Sequence, residues 1–109
     1  MEKVFKVAHD EDGYFLQEVD ATEFIGSDGE IDDLDLDLGY CSESMPYKYV
    51  LTYQSEYGSK DTSYYYDEEM LRDLWEDELI DELQKYGSFV DYEDDIRYEL
   101  FVITRKVLI

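Results

Sequence analysis

The chain has 109 residues, 30 acidic against 9 basic, and a net charge of −21. At this length one domain with its own apolar core is expected, and a hydrophobic content of 44% excludes a purely disordered acidic tail. So strong a negative charge is repelled by nucleic acid and by anionic membrane surfaces, so the natural partner is basic. A lone cysteine, Cys41, excludes an intrachain disulfide and fits a reducing cytoplasm. No apolar run approaches the roughly 20 residues of a membrane span. The opening MEKVFKVAHDEDG is too short in its apolar part and too quickly acidic for a secretory signal.

In chain order, KVFKVA (residues 3–8) and YFLQEV (residues 14–19) flank HDEDG and predict a β-hairpin turning at Gly13. Residues 20–29 read as a loop with Phe24 and Ile25 tucked in. Residues 31–38 alternate leucine and aspartate and predict a strand. Leu34, Leu36 and Leu38 form its buried face, and Asp33, Asp35 and Asp37 point outward. GYCSESMP (residues 39–46) reads as a loop closed by the only proline. YKYVLTYQSEY (residues 47–57) is a strong strand that turns at GSKD and returns as TSYYY (residues 62–66).

Residues 67–87 predict one helix. Asp67 is the N-cap, acidic residues favour the first turn, and Gly87 follows the last turn. Leu71, Leu74, Trp75, Leu79, Leu83 and Tyr86 repeat at helical spacing and predict its buried face. Residues 88–95 read as an acidic connector, and residues 96–109 as one long central strand. The expected architecture is a single α+β domain over residues 1–109, with a mostly antiparallel sheet of about five or six strands and one amphipathic helix packed on a face.

Catalytic signals are weak, and the expectation is a non-enzyme. His9 sits alone in an acidic turn, and Cys41 has no local base and no basic neighbour. With carboxylates at every turn, no pair stands out as acid and base. No G-x-S-x-G, phosphate loop or zinc-ligand spacing occurs. None of the candidate glycines, Gly13, Gly29 and Gly39, completes an EF-hand pattern. No metal and no cofactor are expected.

Charge is concentrated in the middle of the chain. Residues 9–95 hold 28 acids and 4 bases, a net of −24, whereas the terminal segments carry 5 bases against 2 acids. If the termini lie together, one side is strongly acidic and another close to neutral. Along the predicted strand, alternate aspartates fall about 6.5–7 Å apart. Such a splayed row does not converge on a calcium ion. DNA carries one phosphate per 3.4 Å of axis per strand, and the through-space separation is about twice that. Asp33, Asp35 and Asp37 therefore present charge at roughly phosphate spacing. A second row, Glu69, Asp73, Glu76, Asp77 and Asp81, follows the polar side of the helix, where i to i+4 steps of about 6 Å give a similar interval. Both rows could equally be simple solvated faces. Dense carboxylates also lead to an expectation of mutual repulsion, with folded pKa values drifting upward.

Twelve tyrosines accompany this charge. Tyr47, Tyr49, Tyr53 and Tyr57 share one strand face and are expected mainly to build core beneath the helix. Tyr40, Tyr64 and Tyr66, next to acidic runs, are the preferred contact tyrosines, because tyrosine supplies contact area at low entropy cost.

In size, acidity, aromatic content and charge spacing the chain resembles the small acidic nucleic-acid mimics of phages and mobile elements, such as anti-restriction and anti-CRISPR proteins. That resemblance implies a cytoplasmic inhibitor acting in a host cell. It would occupy the basic groove of a CRISPR effector, a restriction enzyme or a nuclease and exclude nucleic acid. The alternative reading is an immunity protein or antitoxin that neutralises a basic nuclease toxin. A third is a structural protein from a high-salt organism.

Overall fold

The computed structural model describes residues 3–24 and 38–109. The fold is α+β, with two four-stranded, largely antiparallel sheets and two helices. Contacts divide the chain into two compact units, residues 1–47 with 103–109, and residues 48–102.

In the first unit, β1 (Val4–Asp10) and β2 (Gly13–Val19) form the expected hairpin. Gly13 adopts φ +117°, a backbone region that L side chains rarely enter, and the Asp10 carboxylate accepts from the Asp12 amide at 2.9 Å to hold the turn. Beyond β2, Ala21–Phe24 forms a short 3-10 turn, where a loop was expected. A third strand, β3 (Tyr40–Ser42), pairs with β1 and sets Cys41 opposite Phe5. Val4, Phe5, Val7, Leu16 and Cys41 are buried here. β8 (Lys106–Val107) closes the order β3-β1-β2-β8 by pairing in parallel with β2. Leu38, expected on the buried face of an acidic strand, is 59% exposed in the turn before β3. The rest of that strand, including Asp33, Asp35 and Asp37, lies outside the described residues.

In the second unit the sheet order is β5-β4-β7-β6, all antiparallel. β4 (Tyr49–Ser55) and β5 (Lys60–Tyr65) form the expected second hairpin. β6 (Ser88–Asp91) arises within the expected connector and pairs with β7 (Ile96–Val102), setting Phe89 opposite Tyr98. The expected long final strand is two strands, because residues 103–105 separate β7 from β8 and the two belong to different sheets.

The single expected helix is also two: α1 (Glu68–Leu74) and α2 (Asp77–Tyr86). Asp67 caps α1, its carboxylate accepting from the Met70 amide at 2.8 Å. Neither glycine nor proline marks the interruption. Trp75 leaves helical geometry at φ −129°, ψ 157° and turns its ring onto Tyr53 and Tyr98, with centroids 5.7 and 5.8 Å away. Its indole N–H donates to the Tyr65 hydroxyl at 2.7 Å. Those contacts replace the two helical residues lost at 75 and 76. Gly87 ends α2 in the left-handed conformation at φ 80°.

The break rotates the buried face. Leu51, Tyr65, Leu71, Ile80, Leu83 and Leu100 form the core of the unit. Leu74 and Tyr86, both expected in the core, are each 64% exposed, and Ile80, absent from the expected face, is fully buried. Leu51 and Tyr65 share a sheet face with Tyr49 and Tyr53 by strand parity, so the helices cover the odd-numbered face of β4 as anticipated. Tyr57, beyond the end of β4, is 93% exposed. Val50 and Thr52, on the other face, are also buried, so β4 is buried on both sides at its centre.

Candidate functional site

The acids of the helical segment divide according to the break. Glu69 and Asp73 lie on α1 and Asp77 and Asp81 on α2, each pair one i to i+4 step apart, with Glu76 at the junction. All five are exposed. The i to i+4 step is therefore kept within each pair, but the five do not form one continuous helical row across Trp75.

Asp77 and Asp81 are tied to a single cation. Arg72 donates to Asp81 at 2.7 Å, to Asp77 at 3.0 Å and to Glu68 at 3.1 Å. Gln84 completes the cluster by donating to Glu68 at 2.8 Å and accepting from Arg72 at 3.2 Å. The Arg72 guanidinium is held still more firmly protonated, chiefly by Asp81, then Asp77 and Glu68. The Glu68 carboxyl is lowered by the hydrogen bond from Gln84, then by Arg72. Sequence periodicity placed Arg72 on the helix but gave no sign that three carboxylates from both helices would converge on it. Glu69, Asp73 and Glu76 take no ion pair among the described residues.

Repulsion does not dominate the titration where shifts are resolved. Asp10 is lowered by the hydrogen bond from Arg105 at 2.6 Å, and Asp20 by the Thr22 amide and hydroxyl. With Glu68, the resolved carboxyl shifts run downward, opposite to the expected drift, because local donors outweigh the diffuse field of like charges.

The contact tyrosines are not gathered with the helix acids. Tyr40 belongs to the first unit, half-buried against Phe24 with ring centroids 5.1 Å apart, and Lys6 lies 5.4 Å above its ring. Tyr64 alternates with core Tyr65 along β5 and so points to the sheet face away from the helices. Its hydroxyl is pushed to a higher pKa by burial. Tyr66, past the end of β5, is half-buried.

The break also creates a groove that sequence reading missed. It measures about 740 Å³ and lies between α2 and the β6–β7 hairpin. Three aromatic side chains, Trp75, Phe89 and Tyr98, line it together with five carboxylates, Glu76, Glu78, Asp81, Glu82 and Asp91. Burial first, then Asp91 and Asp94, raises the Tyr98 phenol. Only the turn of Trp75 out of the helix brings it beside Tyr98, so no local pattern announces the groove.

His9 is exposed at the end of β1 and stacks on Tyr14 with ring centroids 5.2 Å apart. Cys41 is fully buried, and that burial raises its thiol pKa. Among the described residues no three His, Cys, Asp or Glu side chains converge as metal ligands. No helix among them is long and apolar enough to cross a membrane. No family model, curated protein or solved structure matches the chain.

Proposed function

We propose that this protein is an acidic inhibitor that occupies the basic nucleic-acid-binding groove of a host defence protein, of CRISPR-effector or restriction type, and excludes DNA. The observation that carries this reading is the coexistence of a net charge of −21 with well-formed cores in both units. Each unit is acidic by itself: residues 48–102 hold 16 acids and 5 bases, and the remainder 14 and 4. A folded scaffold holds carboxylates at fixed spacing, which a disordered tail does not. Glu69 and Asp73, which take no ion pair among the described residues, stand one i to i+4 step of about 6 Å apart along the axis, close to the interval of successive phosphates, and Asp33, Asp35 and Asp37 would extend the charge by sequence. Binding of this kind uses no catalytic group and no cofactor.

The experiment is competition. Proteins captured from a bacterial lysate on the immobilised chain at low salt are challenged with duplex DNA. Release by DNA, and loss of capture in the triple variants Asp33→Asn/Asp35→Asn/Asp37→Asn and Asp73→Asn/Glu76→Gln/Asp77→Asn, is the expected result. Partners that remain bound while DNA binds beside them would instead indicate an immunity protein docked away from the nucleic-acid groove.

A further inference from the structure

We infer that the groove between α2 and the β6–β7 hairpin is a receptor for an arginine side chain presented by a basic protein segment. Three features meet there. The wall is aromatic: Trp75 meets Tyr98 edge-on at 5.8 Å, and Phe89 lies 6.4 Å from Tyr98. Aromatic faces attract a guanidinium through the ring quadrupole, and arginine also stacks on them as a plane. The rim is anionic: Glu78 and Glu82 stand one helical turn apart on α2, with Asp91 on β6 also lining the groove. Of these, Glu78 and Glu82 take no ion pair among the described residues, whereas Asp81 is committed to Arg72. Asp91 accepts from the Glu93 and Asp94 amides at 3.0 and 3.3 Å, which fixes the orientation of its carboxylate. Finally, no Lys or Arg is among the described residues that line the groove, and Arg72 touches it only through Asp81.

Charge complementarity selects the occupant. A neutral apolar segment would bury against the aromatic wall but bring uncompensated carboxylates with it. A lysine would satisfy the rim as a point charge. Lysine can also sit over a ring, but arginine matches the groove better, its plane stacking against the rings while its forked donors reach two carboxylates at once. This inference rests on the basic partner of the proposed function; of the helix acids of the candidate site, Glu76 and Asp81 also line the groove, whereas Glu69 and Asp73 do not. It would make the groove an anchor that fixes register, while the acidic steps supply long-range attraction.

Trp75 is the only tryptophan, so the groove carries its own reporter. The full chain is titrated with a blocked glycine–arginine pentapeptide containing two arginines, and with its lysine counterpart, following Trp75 emission and, in parallel, binding heat. Two double variants remove the same charge: Glu78→Gln/Glu82→Gln within the groove, and Glu56→Gln/Glu93→Gln, exposed residues that do not line it. The arginine peptide should alter Trp75 emission and bind more tightly than the lysine peptide. The groove variant should weaken it about tenfold, equivalent to about 1.4 kcal/mol, and the control variant less than about twofold, as expected of a diffuse screened charge. All four substitutions are on exposed side chains, so folding is not at stake. Equal weakening by the two variants, equal affinity for the two peptides, or binding heat without a change at Trp75 would each overturn the assignment. Failure here, with DNA competition for captured partners intact, would remove the groove and leave the inhibitor reading standing.

Discussion

Replacing Ile80 with alanine should destabilise the second unit far more than replacing Leu74, the reverse of what helical periodicity in the sequence implies. Ile80 is fully buried among Leu51, Leu71, Leu83 and Leu100. Ile80→Ala removes three carbons, a transfer loss of roughly 2.4 kcal/mol at about 0.8 kcal/mol per buried methylene. The cavity left behind adds to this, giving about 3–4 kcal/mol within the usual range for such changes. Leu74 is 64% exposed, so only about a third of that transfer term applies. Leu74→Ala should therefore cost about 1 kcal/mol or less. Urea unfolding followed by Trp75 fluorescence reads both. With a slope of about 1.5–2 kcal/mol/M, Ile80→Ala should lower the midpoint by about 1.5–2.7 M and Leu74→Ala by no more than about 0.7 M. Equal midpoints, or a larger loss for Leu74→Ala, would mean that residues 68–86 form one unbroken helix with Leu74 facing the core. The break at Trp75, and with it the groove, would then be wrong.

Arg72→Met removes the cation that Glu68, Asp77 and Asp81 share. Its melting temperature should fall at low salt and recover much of the loss at high salt, where repulsion among the three carboxylates is screened; a salt-independent loss would assign Arg72 a packing role instead. The depressed carboxyls Asp10, Asp20 and Glu68 contribute stability above their ordinary values, 3.8 for Asp and 4.5 for Glu, and lose it as pH falls through their lower folded values. The melting temperature should therefore drop below about pH 4, with a shallower drop in Asp10→Asn/Glu68→Gln; a rise through that range would restore repulsion as the leading effect. The Cys41 thiol, buried and raised in pKa, should react with a thiol reagent only on unfolding. Prompt modification of the native chain would contradict its placement opposite Phe5. His9→Ala and Cys41→Ala should leave inhibition intact in folded protein, as expected if neither residue takes part in chemistry; loss of effect would argue for it.

Where local rules were sufficient, the fold could be read directly. Alternation and a glycine at the turn located the β1–β2 hairpin, and alternation with the GSKD turn located β4–β5. Asp67 and Gly87 marked the outer ends of the helical segment through capping chemistry that acts over three or four residues. Features that depend on partners distant in sequence were not legible. The interruption at Trp75 is favoured by Tyr53, Tyr65 and Tyr98, none of them within the helical segment, so a periodic pattern ran through it unbroken. Phasing the helix as continuous then placed Leu74 inside and left Ile80 out. The short strands β3, β6 and β8 have two to four residues each, too few for alternation to register, and they exist because β1, β7 and β2 offer open edges to them. The acidic character of the surface was plain from composition. That Asp77 and Asp81 are bound to Arg72 while Glu78 and Glu82 take no ion pair among the described residues follows only from the geometry of the two helices.

The most direct measurement is a competition titration with a single captured partner. A labelled duplex is bound to that partner, the chain is added, and the anisotropy of the duplex is followed at two salt concentrations. Occupancy of the nucleic-acid groove requires the duplex to be released completely, with an apparent affinity that weakens steeply with salt and is lost in Asp73→Asn/Glu76→Gln/Asp77→Asn. A ternary complex, in which anisotropy rises as the chain binds and the duplex remains, would contradict the proposed function.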